Sequence, residues 1–135
     1  MAVIFDVKCP ILGFENTHKL EFEEIDDYFA RVKSLDGDEF SFTLINPYAL
    51  LQDYEFDMPN YYRALLEVTQ SSNIKVYNIL ILNESVEESR INLLAPVVLN
   101  FDNNSMTQVI LDPAEYPFYP QAEKVKYFLD KRLNK

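Results

Sequence analysis

The 135-residue chain carries 22 acidic and 12 basic residues, a net charge of −10, and its hydrophobic content of 48% is enough to build a core without disulfides or metal. The composition therefore argues against a disordered chain, and the negative charge argues against direct binding to nucleic acid or to anionic membranes. One cysteine, no secretory signal and no apolar run near the roughly 20 residues of a membrane span together predict a cytoplasmic protein.

Short blocks of alternating apolar and polar residues recur in the first third of the chain, as is typical of half-buried β-strands. The predicted strands cover residues 2–7, 18–25, 28–35 and 40–45. In the second strand, the alternation places Leu20, Phe22 and Glu24 on one face. The sequence Asp-Gly-Asp-Glu between the third and fourth strands predicts a turn that joins them into a hairpin.

Helical signals follow in the middle of the chain. The Asn-Pro pair that opens residues 46–51 favours one short helical turn, and residues 58–68 have Pro59 early and apolar side chains at helical spacing. Strand patterns then return at residues 74–82, 90–101 and 106–111. A charged loop at 83–89 and a turn at 102–105 separate these strands.

The carboxy-terminal part differs in composition from the rest of the chain. A proline-rich connection at 112–120 leads into a predicted basic amphipathic helix over 121–135, with one face formed by Ala122, Val125, Phe128, Leu129 and Arg132. Without this helix the chain carries seven basic and 20 acidic residues, a net charge of −13. Such a body would attract basic partners, or it would serve only as a solvated acidic surface.

We therefore expect a single domain of the mainly β class. Residues 1–111 would form a small antiparallel β-barrel-like core with one or two short helices, and residues 112–135 would form the proline-rich connection and the basic helix.

Pro96 lies inside the most apolar segment of the chain, where it cannot donate a ladder hydrogen bond. We therefore expect it at a β-bulge or at a sheet edge. One interpretation is that a bulge bends the strand so that the barrel can close. The other is that regular pairing ends there and leaves backbone groups, flanked by Asn92 and Asn100, available to a partner.

The residue inventory gives little support to catalysis. His18 is the only histidine and has no Ser or Cys motif beside it, and Cys9 with His18 cannot form the usual zinc shell. The two glycines, Gly13 and Gly37, do not form a phosphate-binding loop. The acidic cluster lacks the spacing of a calcium loop, so we interpret it as a solvated face; it comprises Glu21, Glu23, Glu24, Asp26 and Asp27.

Four segments, in this order, resemble the flagellar assembly factor FliW family. They are "ILGFE" at 11–15, "FSFTLINPYALLQDYEF" at 40–56, "NLLAPVVLN" at 92–100 and "QVIL" at 108–111. The Asn-Leu-x-Ala-Pro core is the most specific of these motifs. Pro10 stands where many members have glycine, and no family motif maps onto the basic helix after residue 120.

The resemblance implies a non-catalytic regulator, without cofactors or metals, that has two alternative partners. FliW-like proteins bind CsrA, a basic RNA-binding dimer that represses flagellin translation, and they also bind flagellin itself as a chaperone. While unsecreted flagellin occupies the factor, CsrA stays free to repress. Once flagellin is exported, the factor binds CsrA and translation resumes.

An alternative from another class is a small acidic β-barrel enzyme or ligand-binding module whose exposed tyrosines stack on a ligand. The tyrosines that would serve it are Tyr48, Tyr54, Tyr61 and Tyr62. For the regulator, the expected partner-binding residues are Asn92, Pro96, Asn100, Glu21, Glu23, Glu24, Tyr48 and Tyr54. If the asparagines only cap turns, the partner surface would lie on the acidic strand at residues 21–27 or around Tyr48 and Tyr54.

Overall fold

A computed structural model describes the backbone of residues 2–133 and the side chains of residues 2–129. The strands in this range are β1 (Ala2–Cys9), β2 (Lys19–Glu24), β3 (Phe29–Ser34), β4 (Ser41–Ile45), β5 (Ile74–Ile81), β6 (Arg90–Ile91), β7 (Val97–Asn100), β8 (Ser105–Gln108) and β9 (Glu123–Lys124). The α-helices are α1 (Asn60–Leu66) and α2 (Val125–Leu133), and a 3-10 turn covers Pro47–Ala49.

Seven of the strands in residues 2–133 close into a barrel, which confirms the predicted fold class. Neighbouring strands follow the order β4, β3, β2, β1, β8, β7 and β5, and β5 returns to β4 through pairs such as Thr43 with Leu80. The predicted hairpin of β3 and β4 is present. One pairing in the ring is parallel: β1 runs beside β8, with Asp6 opposite Ser105.

Apolar side chains from alternate positions of the strands fill the barrel. Phe5, Leu20, Leu44 and Leu99 are fully buried, and the ring of Phe5 packs edge-on against Phe22 at 5.9 Å between centroids. Burial of each such side chain contributes roughly 1.5–3 kcal/mol relative to exposure. The alternation in β1, β2 and β4 is therefore explained by one continuous core.

The prediction of one strand over residues 90–101 is wrong. The segment forms β6 and β7, and both pair with the same side of β5, through Ile91 opposite Leu80 and Val97 opposite Tyr77. Five residues, 92–96, therefore lie opposite only two residues of β5. Pro96 lies in this wide interruption, and it is not at an edge, because β7 is paired on both sides.

The hydrogen bonds around Pro96 show how the sheet accommodates it. Its carbonyl accepts from the Val109 amide at 2.8 Å, and the carbonyl of Leu94 accepts from Leu111 at 2.8 Å. The antiparallel register of β7 and β8 thus continues to Leu94, but only the segment that follows β8 donates, through the amides of Val109 and Leu111. Position 96 only has to accept a hydrogen bond in this ladder. Proline can do so, because its carbonyl is free although it has no N–H.

The predicted helices are present with shorter bounds. Helix α1 lies inside the predicted 58–68, and α2 begins only at Val125, because Glu123–Lys124 first pairs with β6 as strand β9. Val125 and Phe128 are buried as the amphipathic pattern predicts. The side chains of Arg132, Lys131 and Lys135 lie outside the described residues.

Candidate functional site

Three adjoining depressions on one side of the barrel form a single groove. Their volumes are about 600, 290 and 320 Å³. The first two share Glu55 and Phe56, and the last two share Tyr48, Ile74 and Val76, so the groove is continuous. It runs from the segment 114–119 to the tip of the β2–β3 hairpin.

Among the charged residues in the described lining of this groove, which we name the acidic trough, six carboxylates outnumber two cations. The carboxylates are Glu24, Asp27, Asp53, Glu55, Asp57 and Glu115. The cations in the described lining are Lys75 and Arg63. The Lys75 ammonium lies 3.3 Å from the carboxylate of Glu24, so this cation is already paired. The trough therefore carries a net negative charge that a basic ligand would neutralise.

Two tyrosines hold together the end of the trough that is lined by the segments 53–57 and 114–119. The Tyr119 hydroxyl donates to the carbonyl of Glu55 at 2.6 Å and accepts from its amide at 2.9 Å. The Tyr116 hydroxyl accepts from the Asp57 amide at 2.8 Å, and the two rings stack with centroids 5.5 Å apart. These contacts fix the acidic segment 53–57 against the proline-rich segment. Beside them Phe118 is 91% exposed, which is unusual for a large apolar side chain.

The carboxylates of this end of the trough have no partners among the described side chains. The side chains of Asp53, Glu55, Asp57 and Glu115 are exposed, and within residues 2–129 none of them is in an ion pair or accepts a hydrogen bond. Exposed unpaired charges have little effect on stability, but they attract opposite charge and speed encounter with a basic surface.

The predicted residues Tyr48 and Tyr54 lie together at the middle of the trough, with ring centroids 6.1 Å apart. Tyr48 is 43% exposed, whereas Tyr54 is buried and its hydroxyl donates to the carbonyl of Leu93 at 2.7 Å. Burial raises the pKa of both phenols. They therefore stay protonated at neutral pH, so neither is suited to act as a general base there.

The acidic strand is only partly included. Glu24 lines the trough, but Glu21 and Glu23 lie outside its lining, and Glu23 lies 3.9 Å from Arg31 in an exposed ion pair. Of the cluster considered in the sequence, Asp27 is the other member that lines the trough.

The remaining predicted residues, Asn92, Pro96 and Asn100, lie away from the trough and bond to the chain's own backbone. The Asn92 side chain accepts from the Leu94 amide at 2.9 Å. Asn100 is buried, donates to the carbonyl of Leu66 at 2.8 Å and accepts from the Asp102 amide at 3.0 Å. Pro96 is also buried. This arrangement favours the structural interpretation of the motif over the partner-binding one.

Sequence reasoning missed most of the trough. The missed residues are Asp53, Glu55, Asp57, Glu115 and Phe118. A signal was present, because "DYEFD" at 53–57 and "EYPFY" at 115–119 both interleave acids with aromatics. What the sequence does not show is that these two segments lie side by side.

The tyrosine-based alternative loses its geometric basis. Tyr61 and Tyr62 contact each other on α1, with centroids 5.4 Å apart, but they do not line the trough. Tyr54 is buried. Four tyrosines thus do not converge on one ligand surface.

The described side chains, those of residues 2–129, include no group of three or more His, Cys, Asp or Glu arranged to hold a metal ion. Within residues 2–133, neither helix has the length and apolarity required to cross a bilayer.

Known proteins resemble this chain over most of its length. Residues 2–121 match the family model described as "FliW protein". The flagellar assembly factor FliW of Campylobacter lari is 52% identical over 124 residues, which cover 92% of this chain and 95% of that protein. The flagellar assembly factor FliW 2 of Wolinella succinogenes is 42% identical, covering 93% and 92%.

A solved structure agrees in fold. The crystal structure of a flagellar assembly factor FliW superimposes with a TM-score of 0.80 at 24% identity, covering 90% of this chain and 84% of that chain. Combined with the match of the family model over residues 2–121, this places the barrel and its motifs in one family. The chain belongs to the FliW family of flagellar assembly factors.

Proposed function

We propose that this protein is a non-catalytic regulator of flagellum assembly that binds two partners in alternation in the cytoplasm. In one state it binds the translational repressor CsrA and relieves repression of flagellin synthesis. In the other it binds unsecreted flagellin as a chaperone, and CsrA is left free to repress. The family relationship supports the flagellar role, and the chemistry of the trough supports a basic partner.

The observation that carries the proposal is the excess of carboxylates in the acidic trough. CsrA binds RNA and should therefore present a basic surface. An acidic groove beside a fully exposed aromatic side chain, Phe118, combines electrostatic steering with an apolar anchor. The part of the chain before residue 121 carries a net charge of −13, which extends the attraction beyond the groove itself.

Partner switching needs no covalent step. If both partners use the trough, the two bound states exclude each other. Even without full overlap, a coupling of roughly 1–3 kcal/mol between the two binding events is enough for a useful switch.

The test is calorimetric titration of the full chain with purified CsrA and with purified flagellin from the same bacterium. We expect each protein to bind, and we expect saturating flagellin to weaken the apparent affinity for CsrA. Failure of both proteins to bind would overturn the proposal, and so would a ternary complex in which neither affinity changes.

Charge reversal locates the surface. We expect Glu115→Lys in the trough to weaken CsrA binding by about tenfold and to flatten the salt dependence of the association rate. Glu84→Lys is the matched control, because it makes the same charge change on an exposed residue of the loop 83–89, outside the trough. Equal effects of the two variants would show that only total charge matters.

A further inference from the structure

Strand β4 leaves the barrel before its neighbour β5 does. The last pair that joins them is Ile45 with Asn78, and extension of this register would place Pro47 opposite Val76. Proline has no N–H for that position, and Asn46 instead accepts from the Tyr48 amide at 3.0 Å and starts the 3-10 turn. The Asn-Pro pair therefore ends β4 and leaves the first part of β5 without a neighbour on this side.

The alternation of β5 shows which backbone groups are left open. The Asn73 carbonyl accepts from Phe101 at 2.9 Å on the β7 side, so Lys75 and Tyr77 also point their N–H and C=O groups towards β7. Ile74 and Val76 then point theirs to the opposite side. Among residues 2–133 no hydrogen bond reaches these outward groups. Both residues are partly exposed and line the acidic trough.

We propose that an extended segment of a basic partner adds as a strand to β5 at Ile74 and Val76, in the place that β4 vacates. The inference rests on the proposed function for the identity of the partner and specifies how the trough recognises it. Main-chain hydrogen bonds to the outward groups supply the docking, and basic side chains of the added strand contact the carboxylates of the trough.

The surroundings of the edge identify the occupant. Asp27 on the β2–β3 hairpin lies on one side, Glu55 lies further along the groove, and Tyr48 provides a half-exposed aromatic surface between them. A basic segment is attracted from both ends. A second copy of this chain would bring the same acidic lining to the edge, and like charges would oppose that pairing.

The open edge is short, which sets the size of the occupant. Ile74 and Val76 each offer one donor and one acceptor, so an added strand of roughly four or five residues satisfies them. An edge of this length, with charges beside it, is also less prone to uncontrolled pairing than a long flat one.

The experiment removes the outward donor alone. Val76→Pro deletes an N–H that takes no part in the β7 ladder, as proline does at tolerated edge positions. Val76→Thr keeps the N–H and the branched shape, and is the matched control. Binding of the full-length variants to purified CsrA and to purified flagellin is measured by calorimetry, and folding is checked by thermal unfolding.

We expect Val76→Pro to weaken binding of CsrA, the basic partner in the proposed function, by about tenfold or more, with Val76→Thr within about twofold of wild type. Amide hydrogen exchange on the wild type provides a second readout that does not depend on the proline variant folding. The Val76 amide should exchange fast in the free protein, Lys75 and Tyr77 should exchange slowly, and saturation with the partner should slow Val76 at least about tenfold.

The outcomes separate the two proposals. If wild type binds but Val76→Pro folds and binds equally well, or the Val76 amide stays fast at saturation, strand addition is overturned and the proposed function stands. If neither CsrA nor flagellin binds the wild type, the proposed function fails, and the recognition mode that rests on it fails with it.

Discussion

The hydroxyl of Tyr54 donates to the backbone carbonyl of Leu93 at 2.7 Å, which joins the segment before α1 to the wide interruption between β6 and β7. A second contact reinforces it, because the Asn78 side chain donates to the carbonyl of Asn92 at 2.8 Å. Both donors are buried. On the β5 side, side chains therefore hold this segment in place of a ladder, whereas the carbonyls of Leu94 and Pro96 keep their backbone bonds to Leu111 and Val109.

Removal of the Tyr54 hydroxyl should weaken the fold. We expect Tyr54→Phe to lower the free energy of unfolding by about 1–3 kcal/mol, because the buried Leu93 carbonyl loses its partner. Urea unfolding followed by circular dichroism measures the change. Tyr61→Phe on the exposed face of α1 is the control and should stay within about 0.5 kcal/mol of wild type. Equal midpoints for the two variants would contradict the assigned role.

Asn100 should matter for stability and not for partner recognition. We expect Asn100→Ala to cost about 1–3 kcal/mol, since the carbonyl of Leu66 loses a buried bond and the amide of Asp102 loses a partly buried one. Affinity for CsrA and flagellin, measured by calorimetry on the folded variant, should be unchanged. Asn60→Ala, at an exposed position of α1, serves as the control. A folded Asn100→Ala protein with weakened binding would return this residue to the partner surface.

The two glycines offer a matched pair. Both have positive φ, +61° at Gly37 and +88° at Gly13, but only a Cβ at Gly37 would overlap the carbonyl of Asn16, whereas one at Gly13 meets no atom within 4 Å. We expect Gly13→Ala to cost about 1–2 kcal/mol from backbone strain alone, and Gly37→Ala to cost more. Thermal unfolding compares the two variants, and equal losses would show that the overlap relaxes without cost.

Asp36 should make the stability of the fold depend on pH in the acidic range. Its carboxylate accepts from the amides of His18 at 2.8 Å and Lys19 at 3.1 Å, and these bonds lower its pKa. Because the folded pKa lies below the unfolded one, the stabilisation is present above about pH 4 and is lost as the pH falls through the folded value. Asp36→Asn should therefore be less stable than wild type at pH 7, and this difference should shrink below pH 4 or so. Urea midpoints from pH 7 to 3 measure it, and a constant difference would contradict the prediction.

Local patterns predicted most of the elements correctly. Alternation located β1 to β4, the Asp-Gly turn located the β3–β4 hairpin, and helical spacing located Val125 and Phe128 on the buried face of α2. These signals succeed because strand and helix periods depend on which face is buried. The strands β1 to β4 bury theirs in the barrel, and α2 buries Val125 and Phe128 in a second hydrophobic cluster.

What local patterns could not predict depends on contacts between distant segments. The interruption at 92–96 looks like part of a strand because four of its five residues are apolar, and its departure from β5 depends on contacts with the distant residues Tyr54 and Asn78. The acidic trough is hidden for a similar reason, since Glu55 and Tyr119 are brought together across 64 positions. By alternation Glu24 would lie on the same face of β2 as Leu20. It lies beyond the last residue that β2 pairs with β1, however, and its carboxylate pairs with Lys75.

The parallel pairing of β1 with β8 has a consequence for how the chain folds. Asp6 and Ser105 become neighbours only after about a hundred residues have been synthesised, which takes roughly 5–20 s at typical ribosomal rates. Until then one side of the first strand has no neighbour, although β2 can pair with its other side almost at once. Because loop-closure entropy opposes this ladder, we expect the joining of the first strand to the eighth to be a late event in folding.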